Sequence, residues 1–138
     1  SLPKVKTNEP FDFSFSGLKS SVLQLKQREE KAGRELDYAD LAYAFQHTVV
    51  DQLIDRTKKA YEEYHPKHLV LAGGVAANSL LRQRMNEEFG NIEGVKVTLP
   101  PMSCCTDNAA MIGVIGTIAY QHGVGGDLYL GADPGLEL

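Results

Sequence analysis

Hydrophobic and polar positions recur with two different periods along the chain, and the changes of period predict strands and helices. Residues 11–16, FDFSFS, alternate with a period of two, which predicts a short half-buried strand that Gly17 ends. From Leu18 to about Lys31, apolar residues recur every three or four positions between charged ones, which predicts an amphipathic helix closed by Gly33.

A longer helix is predicted from about Asp37 to Tyr64, with Pro66 as its stop. The four apolar residues spaced by four on its predicted buried face are Leu41, Phe45, Val49 and Leu53.

Two apolar runs later in the chain predict further strands. Residues 68–72, HLVLA, are typical of a fully buried parallel strand, and residues 95–99, VKVTL, of another strand. A helix is predicted over residues 78–90, with Leu81, Met85 and Phe89 on one side, and an apolar helix over residues 109–122. Residues 1–10 are predicted to be a linker, and the Gly- and Pro-containing tail after residue 122 to form no regular element.

Strands that alternate with helices predict an α/β fold, an open and largely parallel sheet flanked by helices. Ligands of such sheets bind at the carboxyl ends of the strands. The polar turns after Ala72 and after Leu99 lie at that edge, and both are therefore candidate sites.

Composition narrows the class of protein. A length of 138 residues suits one domain, and a net charge of −4 argues against a domain that binds nucleic acid alone through a broad positive face. Cys104 and Cys105 are adjacent, so a disulfide within the chain is not expected, and free thiols favour a cytoplasmic location. No apolar run is long enough to span a membrane.

The first candidate site is Gly73-Gly74, between a predicted strand and a predicted helix. Glycine allows a ligand to approach the backbone closely, and the N–H groups at a helix start attract phosphate. Asn78 follows, and its amide is suited either to capping the helix or to binding a sugar or base. Taken alone, an ordinary strand-to-helix turn is the simpler interpretation, because a lone glycine pair is a weak signal.

The second candidate site is Asp107, which lies between a predicted strand and a predicted helix. A carboxylate at the ligand edge of a sheet is suited to holding a cation or a metal-bound phosphate. The alternative is an N-cap, for which Thr106 and Asn108 are equally suited.

Three segments together resemble one known family: FSFSGLK (13–19), LAGGVAANSLLR (71–82) and PPMSCCTDNAAMIG (100–113). They resemble the second half of the tRNA threonylcarbamoyladenosine transferases, the TsaD family, formerly called O-sialoglycoprotein endopeptidases or glycoproteases. The resemblance implies an actin-like ATPase fold of two ribonuclease-H-like domains around a nucleotide cleft. Residues 11–138 would then be an incomplete copy of the second domain, without its first strands.

The resemblance also implies a reaction and its partners. The family transfers a threonylcarbamoyl group from an adenylate intermediate to N6 of the adenosine beside the tRNA anticodon. The expected partners are threonylcarbamoyl-adenylate and tRNA, together with a smaller paralogous protein and an ATPase of the same pathway.

By resemblance, Gly73, Gly74 and Asn78 match the family's nucleotide-binding residues, and Asp107 matches a ligand of a catalytic divalent metal, iron or zinc. The family's other metal ligands, in a His-x-x-x-His motif of its first half, have no counterpart in this chain. Since one carboxylate holds such a metal poorly, we expect the isolated chain to be inactive.

Two alternatives stay open from the sequence. One is the metalloprotease implied by the former family name, although no zinc-protease motif is present in the sequence. The other is a non-catalytic interaction module of a tRNA-modification complex.

The resemblance finally predicts a gap in the sheet. If residues 11–16, 68–72 and 95–99 are the third, fourth and fifth strands of a ribonuclease-H-like sheet, the first two would belong between the third and the fourth. An exposed strand edge and apolar surface would result, and we expect the isolated chain to self-associate through them.

Overall fold

The computed structural model describes Leu2, residues 9–127, Tyr129 and residues 131–135. These residues form an α/β fold in which helices flank a small parallel sheet. The elements, in chain order, are α1 (Ser16–Lys31), α2 (Tyr38–Tyr64), β1 (His68–Val70), α3 (Ser79–Phe89), β2 (Lys96–Thr98) and α4 (Ala109–Gln121). Short 3-10 turns follow each strand, at Gly74–Ala77 and Met102–Cys104.

The predicted helices are confirmed within two residues at each end. Helix α2 begins after Asp37, whose carboxylate accepts hydrogen bonds from the backbone N–H groups of Ala39 and Asp40. It ends where His65 adopts a left-handed conformation, with a φ of 44°, immediately before Pro66.

The predicted parallel pairing of the two apolar strands is confirmed. His68 lies opposite Lys96 and Val70 opposite Thr98. The prediction that the first strand is fully buried is wrong, because Val70 keeps 62% of its surface exposed. The core covers one face of the sheet, through Leu69, whereas alternate residues of a strand point to the opposite face.

The core lies between α2, α3 and the covered face of the sheet. Its buried residues are Val50, Ile54, Leu81, Met85 and Phe89. The three α3 residues are those that the sequence predicts. On α2, however, the buried stripe contains Val50 and Ile54, so the predicted face is displaced by one position, and of its residues Leu53 packs against the core.

The predicted strand over residues 11–16 is wrong. Residues 11–15 form no strand, and α1 begins at Ser16. The backbone here lies against α2: Arg56 Nη1 donates to the Pro10 carbonyl at 2.8 Å, and the ring of Phe11 lies 5.6 Å from that of Tyr64. The period of two therefore belongs to an irregular aromatic segment that packs against a helix, since a strand also needs a hydrogen-bonding neighbour.

A cluster of ion pairs joins α3 to α2. Arg84 pairs with Asp51 of α2 and with Glu88, and Glu88 also pairs with Lys58 of α2. The hydrogen bond from Lys58 holds the pKa of Glu88 below its ordinary value. For Arg84, burial opposes the charged form, but the bonds to Asp51 and Glu88 outweigh it and raise its pKa.

The ends of the chain are described only in part. Residues 1 and 3–8 of the predicted linker and residues 128, 130 and 136–138 of the tail lie outside the described residues. The described tail residues form turns and irregular backbone, as predicted. Among the helices that the structure describes, none has the length and apolarity to cross a membrane.

Candidate site at the carboxyl edge of the sheet

Two loops leave the same edge of the sheet, because β1 and β2 are parallel. Residues 71–78, here called the glycine loop, follow β1, and residues 99–108, the TDN loop, follow β2. The last backbone hydrogen bond between the strands runs from the Leu71 N–H to the Thr98 carbonyl at 3.0 Å. All four residues predicted as site residues, Gly73, Gly74, Asn78 and Asp107, thus belong to these two loops.

The glycine loop is a tight turn that needs glycine at its first position. Gly73 has φ 86° and ψ 176°, a conformation that side-chain-bearing residues avoid. The backbone then closes a 3-10 turn, in which the Ala76 N–H donates to the Gly73 carbonyl at 3.0 Å. A Cβ added at Gly74 would meet no described atom within 4 Å, so the turn has open space above it. This open backbone is what the approach of a ligand requires.

Asn78 caps α3. Its Oδ1 accepts a hydrogen bond from the Leu81 N–H at 2.9 Å, as the capping interpretation predicts. Capping uses the oxygen alone. The two N–H donors of the amide form no hydrogen bond with the described residues, and they are available to a ligand.

Asp107 does not cap α4, whereas its neighbour Asn108 does. Asn108 caps α4, because its Oδ1 accepts from the Met111 N–H at 3.0 Å while its Nδ2 donates to the Thr106 carbonyl. The exposed carboxylate of Asp107 forms no hydrogen bond or ion pair with the residues that the structure describes. The alternative of an Asp107 cap therefore does not hold.

A side chain that the sequence analysis missed joins the two loops. Arg82 Nη1 donates to the Ala76 carbonyl of the glycine loop at 3.0 Å, and Nη2 donates to the Pro100 carbonyl of the TDN loop at 2.8 Å. The buried Cys105 thiol lies 3.8 Å from the same Nη1. Because the oxygen acceptors are backbone carbonyls, no pairing of side-chain types in the sequence indicates this contact.

A metal ion would need ligands besides Asp107. Within the described ranges, no three His, Cys, Asp or Glu residues are grouped in a way that could hold one. Cys104 is exposed and Cys105 is buried. The carboxylate of Asp107 suits a divalent cation that other ligands also bind.

Two loops suited to a ligand, at the carboxyl edge of parallel strands in an α/β fold, are typical of binding or catalytic domains. Comparison with known proteins identifies the family. The family model TsaD, described as tRNA N6-adenosine threonylcarbamoyltransferase, matches residues 1–114. The chain belongs to this family.

Relatives of the same name agree with this assignment. The Bacillus cereus tRNA N6-adenosine threonylcarbamoyltransferase is 48% identical over 130 residues, which cover 94% of this chain and 38% of that protein. The proteins of the same name from Bacillus subtilis and Geobacillus thermodenitrificans are 44% and 45% identical, over 99% of this chain and 40% of each protein. The chain thus spans about two fifths of the length of these relatives.

Proposed function

We propose that this chain provides the nucleotide-binding loop and one metal ligand of a tRNA-modifying transferase. The reaction would transfer a threonylcarbamoyl group from its adenylate to N6 of a tRNA adenosine beside the anticodon. The supporting observation is that Gly73, Gly74, Asn78 and Asp107, the four residues of the family's motifs, lie in two adjoining loops at one edge of the sheet.

The glycine loop is suited to the adenylate. The open backbone after Gly73 admits a close approach, and the start of α3 favours a negatively charged group. The amide N–H groups of Asn78 are free to donate to the sugar or base while its oxygen holds the helix cap.

Asp107 would hold a divalent metal, iron or zinc, together with ligands from outside this chain. Such a metal supplies Lewis-acid polarisation of a carbonyl group when it is bound. In the reaction, adenosine N6 bonds to the carbamoyl carbon, the bond from that carbon to the adenylate oxygen breaks, and AMP leaves with its phosphate. One N6 proton is lost to solvent or to a base.

The remaining expectations belong to the same proposal. Residues 11–138 would be part of a ribonuclease-H-like domain of actin-like ATPase type. The partners would be threonylcarbamoyl-adenylate, tRNA, the smaller paralogous protein and the ATPase of the pathway. Self-association of the isolated chain also stays a prediction. Helix α4 has no buried residue, and Ile112 and Ile115 are each 65% exposed, which gives the chain an apolar surface of the kind that drives association.

Nucleotide binding tests the proposal through a pair of asparagines. The chain would be joined to the rest of the Bacillus cereus relative and titrated with AMP by calorimetry. We expect Asn78→Ser to weaken AMP binding by about tenfold, because serine preserves a capping oxygen but removes the amide donors.

The matched control is Asn108→Ser, which changes the cap of α4 in the same way. This variant should bind AMP as tightly as the unsubstituted protein. Equal AMP affinities for the two serine variants would contradict a nucleotide-binding role for Asn78.

A further inference from the structure

Arg82 forms hydrogen bonds with both loops of the site. It lies in the first turn of α3, four residues after the cap, and its backbone N–H donates to the Asn78 carbonyl at 3.1 Å. The guanidinium reaches back toward the sheet edge, where each of its terminal nitrogens bonds a different loop: Nη1 the Ala76 carbonyl and Nη2 the Pro100 carbonyl.

Among the described residues, the side-chain hydrogen bonds that link the two loops are those of Arg82. Beyond the bond from Leu71 to Thr98, no backbone hydrogen bond joins the glycine loop to the TDN loop among the described residues. Strand pairing therefore ends before the site begins. Beyond that point, the planar guanidinium of Arg82, whose donors have a fixed geometry, links the two loops.

We propose that Arg82 is a positioning residue that sets the separation between the nucleotide-binding turn and the carboxylate of Asp107. This inference rests on the proposed function, since it assumes that one substrate is held by both loops. A transferred group must lie within a fraction of an ångström of its reactive geometry, so a small shift between the loops would slow transfer without preventing nucleotide binding.

The charge of Arg82 offers a competing explanation. Its guanidinium is half-buried and forms no ion pair with a described residue, so its positive charge could attract phosphate without any bridging. Lysine separates the two effects, because it retains the charge but has one nitrogen in place of the rigid pair.

The test uses Arg82→Lys and Arg82→Met in the chain joined to the rest of the Bacillus cereus relative. We expect kcat for threonylcarbamoyl transfer to fall by about tenfold to a hundredfold in both variants, with AMP affinity within about threefold of the unsubstituted protein. Amide hydrogen exchange should accelerate in residues 102–108 of both variants, because the TDN loop loses its anchor.

Arg84→Met is the matched control, because Arg84 lies on the same helix but pairs with Asp51 of α2 instead of with the two loops. It should lower the melting temperature and leave kcat and exchange in the TDN loop unchanged. An Arg82→Lys variant with unchanged kcat and unchanged exchange would overturn the inference. If the unsubstituted protein transfers nothing, the proposed function fails, and exchange in residues 102–108 still decides whether Arg82 anchors the loop.

Discussion

Replacing Asp107 by alanine should lower threonylcarbamoyl transfer by about a hundredfold or more in the chain joined to the rest of the Bacillus cereus relative, because the proposed metal ligand is lost. The melting temperature should change little. The Asp107 carboxylate is exposed and bonds no described residue, whereas Asn108 holds the start of α4.

Two further variants separate the metal from simpler explanations. Asp107→Asn keeps the shape of the side chain but removes its charge. It should reduce activity and bound metal nearly as much as Asp107→Ala does. Asn108→Ala removes the cap and should lower stability by about 1 kcal/mol while retaining metal and most of the activity. A fully active Asp107→Ala protein would show that Asp107 is not a metal ligand.

Phe89→Ala should lower the free energy of unfolding by about 3–5 kcal/mol. The Phe89 side chain is 1% exposed and is the largest fully buried side chain among the described residues, and its ring centroid lies 5.9 Å from that of Tyr61. Since a small domain has a total stability of about 5–15 kcal/mol, this loss would remove a large fraction of it.

Urea unfolding of the chain, followed by circular dichroism, measures this effect. The control is Leu23→Ala on α1, where the side chain is 52% exposed, and its expected change is within about 0.5 kcal/mol. A Phe89→Ala chain as stable as the control would mean that α3 does not pack against α2 and the sheet as the structure describes.

The helices and the parallel strand pair could be predicted because each follows from local pattern. In α3 a single apolar stripe is available, so Leu81, Met85 and Phe89 were predicted correctly. Helix α2 carries apolar residues in several adjacent registers, and α3 and the sheet select the stripe of Val50 and Ile54. Because tertiary packing makes this selection, the spacing of apolar residues within α2 does not reveal it.

The segment FDFSFS shows that a local pattern alone does not determine a strand. Its alternation is real, but a strand also needs a neighbour with a complementary backbone edge, and the segment contacts α2 through Phe11 instead. The burial of β1 was overestimated for a similar reason, because an apolar run does not show whether both faces of a strand are covered.

The site was predictable only as far as topology determines it. Parallel strands bring their carboxyl ends to one edge, so the meeting of the glycine and TDN loops followed from the fold class. The choice of Asn108 over Asp107 as the cap of α4 depends on backbone angles at one turn. The bridge formed by Arg82 was missed because its acceptors, the carbonyls of Ala76 and Pro100, carry no side-chain signal.

Transfer of a threonylcarbamoyl group to tRNA tests the central claim most directly. The chain alone and the chain joined to the rest of the Bacillus cereus relative would each be given threonylcarbamoyl-adenylate and unmodified tRNA, with the intact relative as the positive control. We predict modified adenosine with the joined protein and none with the chain alone. An inactive joined protein that is folded and binds its metal, or an active isolated chain, would contradict the proposal that this chain supplies one part of a shared active site.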